Sequence, residues 1–411
     1  MADDRRMCAR RTLRALLLIV VVGSLLGCSR NLTAPPSTDR DHAQPGAVAS
    51  IEAVGGYPAW ILRGLIWWRG LGDRFPVDCG IALYRVEYWT TGVDGAPTRA
   101  SGLLAWPNGV RPRGVVSFQH GTETDRASSP SKPDPSNGVL AAAAFAARGY
   151  VLVAPDYLGL GTVAGLHPYL NAATEASAVV DLLRAVRTIV VANGEAWPAR
   201  TMLIGFSQGG HATLAAQRAL EAAPIDGIAV GASASIAGPF DLAAMSFPFA
   251  LDGASTAAST YLGYLLTAYA SVYREPLGSA LREPFATSVP VLFDGAHDDA
   301  VVGAALPRQP RAMFREDFLA SYAGGAPNWL RERLLENSLF DWTPRAPIRL
   351  YYGSRDVDVS PREAIVEADR LTQRGGNVTA IDVGAYDHNE SILAAVPSVV
   401  AWFDAMAAAP Q

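Results

Sequence analysis

Thr201-Met202-Leu203-Ile204-Gly205-Phe206-Ser207-Gln208-Gly209-Gly210-His211 is the stretch from which the chain is best read. An apolar run suited to a strand ends in Gly-x-Ser-x-Gly, and an Ala- and Leu-rich helical pattern, Gln208 to Ala222, begins at once. Between a strand and a helix, that pentapeptide predicts a nucleophile elbow: a serine on a sharp, strained turn with its Oγ at the carboxyl edge of a sheet. Glycines two before and two after leave room where side chains would meet the neighbouring strand and helix. The helix that follows brings its N-terminal N–H groups and positive dipole end to the reacting carbon. A merely structural turn is the alternative, and the strand–turn–helix context weighs against it.

The flanking pattern supports a sheet. From about Ile81 it is antiparallel β: Ile81 to Thr91, a turn at Val93-Asp94-Gly95, then Arg99 to Trp106. Short apolar runs follow at Gly114 to Phe118, Tyr150 to Ala154, Met202 to Phe206, Ile228 to Ala232 and Ile348 to Tyr352. Helical patterns lie between them at Val139 to Arg148, Thr174 to Ala192 and Gln208 to Ala222. Strands buried on both faces, alternating with amphipathic helices, predict a mostly parallel, doubly wound sheet. Right-handed crossovers then put the site on the edge of the strand carboxyl ends. With the elbow, this is the α/β class of the α/β-hydrolase fold.

The alternation stops between about 242 and 345. That is far longer than a connection needs, so the stretch is read as a helical cap inserted between late strands. In it, Ala257 to Tyr273 places Tyr261, Leu265, Tyr269 and Tyr273 on one helix face, as the cap's own core or as a wall of the acyl pocket.

Composition bounds the rest. The chain has 411 residues, 50% hydrophobic, with a net charge of −5, enough for a large core and without the basic excess of a nucleic-acid partner. Cys8, Cys28 and Cys79 have neither a disulfide framework nor zinc spacing, and Cys79 reads as a small buried hydrophobe. Gly159-Leu160-Gly161 lacks the third glycine of a dinucleotide fingerprint and reads as a turn. No metal and no organic cofactor is expected.

Residues 1–28 read as a signal peptide, with Arg5, Arg6, Arg10, Arg11 and Arg14 before the short apolar stretch Leu16 to Leu26. It ends Leu25-Leu26-Gly27-Cys28, which resembles the lipobox of bacterial lipoproteins. That resemblance implies acylation of Cys28 and a membrane tether in the cell envelope, in the outer membrane given Ser29. Ordinary secretion is the alternative. Residues 29–50 read as a flexible spacer, and 51–411 as the hydrolase domain.

Ser207 needs a general base, and the base an orienting carboxylate, in the chain order Ser, Asp or Glu, His. Of the six histidines, His42 lies in the spacer, His120 and His167 precede the serine, and His211 sits one helical turn past it. His388 follows the strand-like Val378 to Val383 and precedes the closing helix, as a base must. Asp356 directly follows Ile348 to Tyr352 and lies 388 − 356 = 32 residues earlier, room for one helix and one strand. Asp358 is its nearest rival, with Asp382 and Asp387 behind. Val291 to Asp299, with His297, resembles an acid loop, but adopting it would leave two later strand–loop units without a role, so it is assigned to the cap. The oxyanion hole needs two backbone N–H groups. One is expected from Gln208, the other from Thr122 in Gln119-His120-Gly121-Thr122-Glu123-Thr124, with Gly121 or Glu123 as alternatives.

Taken together, Phe118-Gln119-His120-Gly121-Thr122, Ala154-Pro155-Asp156-Tyr157-Leu158-Gly159-Leu160-Gly161, His167-Pro168-Tyr169, the Gly205–Gly210 elbow, Tyr352-Gly353-Ser354-Arg355-Asp356 and His388 resemble the secretory lipase family. The resemblance spans roughly residues 55–408. It implies a serine carboxylic-ester hydrolase with a helical cap, acting on acyl esters and often on lipids. Fungal members carry an acidic residue in the oxyanion loop, a part only Glu123 can play here, and disulfides that this chain lacks. The rival readings are a serine peptidase or amidase on the same fold, and a non-catalytic lipid-anchored binding protein.

Overall fold

The sheet that carries the elbow has nine strands, and its middle is the most deeply buried part of the molecule. The computed structural model describes residues 32–35, 43–68, 70, 72, 75–132 and 137–408. Its strands are β1 (Val48–Tyr57), β2 (Ile81–Thr91), β3 (Pro97–Pro107), β4 (Val115–Gln119), β5 (Val151–Pro155), β6 (Arg200–Phe206), β7 (Ala229–Ile236), β8 (Ile348–Tyr352) and β9 (Val378–Asp382). They are ordered β1-β2-β3-β5-β4-β6-β7-β8-β9. β1 to β3 pair antiparallel, β3 pairs antiparallel with β5, and from β5 to β9 every pairing is parallel.

The strand order reverses at β4. The chain leaves β4 for β5 on one side and returns to β6 on the other, so the loops after β4 and β6 face each other across a crevice. β4 and β5 are buried along their whole length, as their uninterrupted apolar runs require. β2, nearer the margin, alternates along its second half, with Val86, Tyr88 and Thr90 inward and Arg85, Glu87 and Trp89 half-buried.

Helices α1 (Ala59–Trp68), α2 (Asn137–Phe145), α3 (Ala172–Ala192) and α4 (Gln208–Ala222) belong to the body. α3 and α4 cover one sheet face through Val179, Leu183, Val186, Ala212 and Leu220. α1, α2 and the closing helix cover the other. Two elements were not legible beforehand. β1 begins at Val48, inside the segment read as spacer, and Leu32 is already buried beside Tyr84. α1 follows β1 directly. Cys79 is buried against the carbonyls of Ala146 and Ala147. Residues 1–31, including Cys28, lie outside the described residues.

Between β7 and β8 comes the cap: a π-helical turn at Leu242–Ser246, then α5 (Phe247–Leu251), α6 (Ala258–Tyr273), α7 (Asp299–Ala305), α8 (Glu316–Gly324) and α9 (Trp329–Asn337). α6 matches the helix expected over 257–273 almost to the residue. The cap has its own core, including Phe247, Leu266, Tyr269, Phe314 and Leu330. Tyr169 and Leu170 of the body enter that core, and Tyr169 stacks on Tyr264 with ring centroids 4.7 Å apart. The His-Pro-Tyr segment is therefore where the cap seats on the body. His297 is a half-buried cap residue, paired with Asp294 at 2.9 Å.

After β8, α10 (Pro361–Gln373) holds the start of the cap. Its Glu363 accepts hydrogen bonds from the N–H groups of Phe240 and Asp241 and from the Ser246 hydroxyl. Asp241 pairs with Arg370 at 2.8 Å. One turn from Glu363, Glu367 is buried, and neither of its oxygens has a hydrogen-bond partner in the structure. Burial pushes its carboxyl up from the ordinary 4.5 to about 8.

A carboxyl whose folded value is raised contributes its full stability below the unfolded value and loses it as pH climbs to the folded one. Glu367→Gln should therefore match the parent's melting temperature near pH 4.5 and exceed it increasingly up to pH 8. The gap should approach on the order of 4 kcal/mol and then level off. A gap that did not change with pH in thermal melts would refute this. The chain closes with α11 (His388–Ala408), long and apolar enough to cross a membrane, though its inner face, Ala395, Val399 and Phe403, lies in the hydrolase core.

Candidate active site

Ser207 sits where β6 meets α4, with φ 56° and ψ −123°. This conformation suits glycine and costs a side-chain-bearing residue about 1–3 kcal/mol. Its neighbours explain how it is held. The Ser207 N–H donates to the Ile236 carbonyl at 2.9 Å, and the Ser207 carbonyl accepts from Gly210 N–H at 2.8 Å. A Cβ on Gly205 would lie 1.9 Å from the Gly209 carbonyl oxygen, and one on Gly209 would lie 2.0 Å from that of Gln119. Both glycines are thus required for β4, β6 and α4 to converge this closely.

His388 and Asp356 are brought together as the chain order implied. His388 Nδ1 donates to Asp356 Oδ2 at 2.7 Å, and both side chains are buried. The other oxygen, Oδ1, accepts the N–H groups of Asp358 at 2.8 Å and Val359 at 3.0 Å, which fixes the carboxylate. The Phe206 ring packs on His388 with centroids 4.7 Å apart, placing the imidazole beside the elbow. Asp358 is close, with ligand atoms of Asp356, Asp358 and His388 all within 4.8 Å, but its carboxylate takes the hydroxyl of Ser255 in the cap. Asp382 turns back to cap the Gly384 N–H, and Asp387 caps the Glu390 N–H at the start of α11.

The loop after β4 lies against Ser207. A Cβ on Gly121 would be 3.6 Å from Ser207 Cβ. Buried His120 donates from Nδ1 to the Gly121 carbonyl at 2.7 Å, and burial holds this imidazole below its ordinary value, in the neutral form. That carbonyl and the Thr122 N–H belong to one trans peptide, so anchoring the oxygen on His120 turns the N–H to the opposite side. The Thr122 hydroxyl meets the Tyr169 hydroxyl at 2.8 Å, which ties the loop to the cap-bearing segment.

Sequence reasoning missed the buried polar network behind the elbow. The Gln208 amide donates to His167 Nε2 at 2.7 Å and to Glu175 Oε1 at 3.0 Å. His167 donates from Nδ1 to the Leu158 carbonyl at 2.9 Å; burial lowers it to about 4, which keeps Nε2 free to accept. Glu175 Oε2 takes His211 Nδ1 at 2.6 Å, and His211 Nε2 faces the Asn337 carbonyl at 2.9 Å. Both His211 nitrogens thus face oxygen atoms. Glu175 lies in the first turn of α3, where the helix dipole favours a carboxylate. The network runs on through the Asn337 amide to the Tyr273 hydroxyl on α6, linking elbow and cap.

Asp156 of the Asp-Tyr-x-Gly-x-Gly segment is structural. It takes the hydroxyl of Ser101 at 2.6 Å and the N–H of Ser131 at 2.9 Å. Gly161 N–H donates to Ser129 at 3.0 Å, which confirms 159–161 as a turn.

Ser207 and Gln208 open into a pocket under the cap, lined among others by Leu242, Phe249, Tyr261, Leu265 and Asp358, with a cavity volume of about 60 Å³. The aromatic stripe of α6 divides accordingly. Tyr261 and Leu265 face the pocket, while Tyr269 is buried in the cap core and bonds the Leu170 carbonyl.

A family model described as secretory lipase matches residues 138–409. None of the curated proteins matches the chain in sequence. Among solved structures, a Legionella pneumophila protein described as a hydrolase superposes with a TM-score of 0.84 at 26% identity, covering 89% of this chain and 99% of that one. The rice cell wall degrading esterase LipA from Xanthomonas oryzae gives 0.78 at 27% identity, over 88% and 98%. Candida antarctica lipase A in its closed state gives 0.64 at 15% identity, over 93% and 87%, a likeness of fold alone.

Proposed function

Because the chain belongs to the secretory lipase family, and is a hydrolase of the lipase and esterase kind, we propose that it is a serine carboxylic-ester hydrolase acting through Ser207, His388 and Asp356. The observation that carries this reading is the pairing of a strained Ser207 with a buried His388–Asp356 couple at the same sheet edge. His388, held in the Nδ1–H tautomer by Asp356, takes the Ser207 proton through Nε2 as Oγ attacks the ester carbonyl. The N–H groups of Gln208 and Thr122 receive the developing oxyanion. The alcohol leaves with the proton from His388, and acyl-Ser207 remains. Water, deprotonated by the same imidazole, then attacks the acyl carbon, and Ser207 regains its proton as the acid departs.

The pocket speaks to the substrate. A cavity of about 60 Å³ takes a short acyl group. Phe249 and Leu265 of the cap line it, which supports a preference for short acyl chains over long ones. Across p-nitrophenyl esters from acetate to palmitate, kcat/KM is expected to be highest at or below butyrate and at least tenfold lower at palmitate. A rate that rose steadily toward palmitate would replace this with a lipase whose cap opens. No serine-dependent turnover of any ester would overturn the function itself.

Membership of a secretory family accords with export, and we extend the proposal to acylation of Cys28 and a tether in the envelope, in the outer membrane. Labelled palmitate should enter the protein in a bacterial host and be lost in Cys28→Ala. Equal labelling of both would refute the anchor.

A further inference from the structure

Asp156-Tyr157-Leu158-Gly159-Leu160-Gly161 holds a strained residue. Tyr157 is buried with φ 62°, a left-handed conformation that a bulky side chain disfavours. Such strain persists where the surroundings over-determine it, and it gathers beside functional sites. Around Tyr157 the surroundings are two histidines. Its ring packs on His120 with centroids 4.4 Å apart and stacks on His167 at 5.6 Å. All three side chains are buried.

Each histidine is bonded to one of the two segments whose N–H groups receive the oxyanion in the mechanism above. On the Thr122 side, two consecutive carbonyls are held. That of His120 accepts from the Tyr157 hydroxyl at 3.2 Å, and that of Gly121 accepts from His120 Nδ1 at 2.7 Å. Burial pushes the Tyr157 phenol well above its ordinary value, which keeps it a donor. Gly121 places little steric restraint on its own dihedrals, so the aim of the Thr122 N–H depends on what holds these carbonyls. On the Gln208 side, His167 Nε2 accepts from the Gln208 amide at 2.7 Å. Its Nδ1 donates at 2.9 Å to the carbonyl of Leu158, the residue after Tyr157. Gly159, with φ 77°, lets the His167 segment come this close, since a Cβ there would lie 2.6 Å from the His167 backbone nitrogen. Asp156 fastens the start of the segment through Ser101 and Ser131.

We propose that Tyr157 is a positioning residue of the oxyanion hole. Its hydroxyl fixes the His120 carbonyl, its ring sets the imidazoles of His120 and His167 relative to each other, and the N–H groups of Thr122 and Gln208 are thereby held to one spacing. Buried, it acts through these neighbours rather than on substrate. The inference rests on the ester-hydrolase reading and adds to it that the hole is formed before substrate arrives, so that no reorganisation is needed as charge develops.

The test is Tyr157→Phe, which keeps the ring and its packing and removes the hydroxyl. Rates are taken per serine titrated by a fluorophosphonate, so that unfolded chains do not count. On p-nitrophenyl butyrate, kcat should fall about tenfold or more while KM stays within about threefold, the mark of an interaction made in the transition state. A second readout is inhibition by an alkyl trifluoromethyl ketone. Ser207 Oγ adds to its carbonyl carbon, the serine proton passes to His388, and the carbonyl oxygen becomes an oxyanion in the hole. Its affinity should weaken by the same factor as kcat/KM, while the matched methyl ketone, which forms no such adduct, should bind as before. Unchanged kcat and unchanged trifluoromethyl ketone affinity would overturn the proposal. So would a loss confined to KM, or equal weakening of both ketones, either of which would reduce Tyr157 to shaping the pocket. A parent without ester turnover would overturn the ester-hydrolase reading and this inference with it; an active parent matched by its variant would overturn this inference alone.

Discussion

Ser207→Ala is expected to lower kcat on p-nitrophenyl butyrate by about 10⁴- to 10⁶-fold while leaving the fold intact. Without Oγ there is no acyl-enzyme, and only the oxyanion donors and substrate binding remain to assist water. Ser207→Gly separates the chemistry from the fold more sharply. Glycine tolerates φ 56°, so this variant should be equally inactive yet melt higher, by about 1 kcal/mol of relieved strain less the entropy of the added glycine. Turnover within tenfold of the parent in either variant would remove Ser207 from the mechanism. A fall in melting temperature for Ser207→Gly would show that the backbone there is not strained.

Asp356→Asn should lower kcat by about 10⁴-fold, through the tautomer of His388 rather than through its position. The amide oxygen can still accept from the N–H groups of Asp358 and Val359, as Oδ1 does now. That leaves the amide NH₂ facing Nδ1, which must then accept, so the proton moves to Nε2 and the ring can no longer take one from Ser207. Asp358→Asn should cost less than tenfold, because the Asp358 carboxylate is engaged by Ser255 rather than by the imidazole. Comparing kcat of the two variants under single-turnover conditions decides between them. A larger loss in Asp358→Asn would make Asp358 the orienting acid.

Several parts of this site were legible because they are local or topological. The β6–Ser207–α4 unit is contiguous, and its glycines act on atoms of the same unit and of the adjoining β4. The order serine, acid, base follows from strand succession, and β4, β5 and β6 announced themselves as apolar runs. β1 did not, because Val48–Tyr57 is an edge strand, half-exposed and broken in register between Val48 and Ser50 and between Ala53 and Gly55, so it lacks strict alternation. α1 did not, because its outer face carries tryptophans where a charged stripe would have shown the helical period.

The sequence by itself placed Ser207 on a strand–turn–helix elbow, set His388 after the last strand, and indicated an insertion over the sheet edge. Only the tertiary structure gave Asp356 the imidazole of His388 and Asp358 the hydroxyl of Ser255, joined Gln208 to His167 and Glu175, and set the size of the pocket. Those features are distances between groups from 32 to more than 100 residues apart, such as the His388 ring to the Asp356 carboxylate and the His211 ring to the Asn337 carbonyl. No local pattern encodes such distances. They arise when buried polar groups, cut off from water, must take whichever partners the packing of α3, α4, α6 and α9 brings within reach.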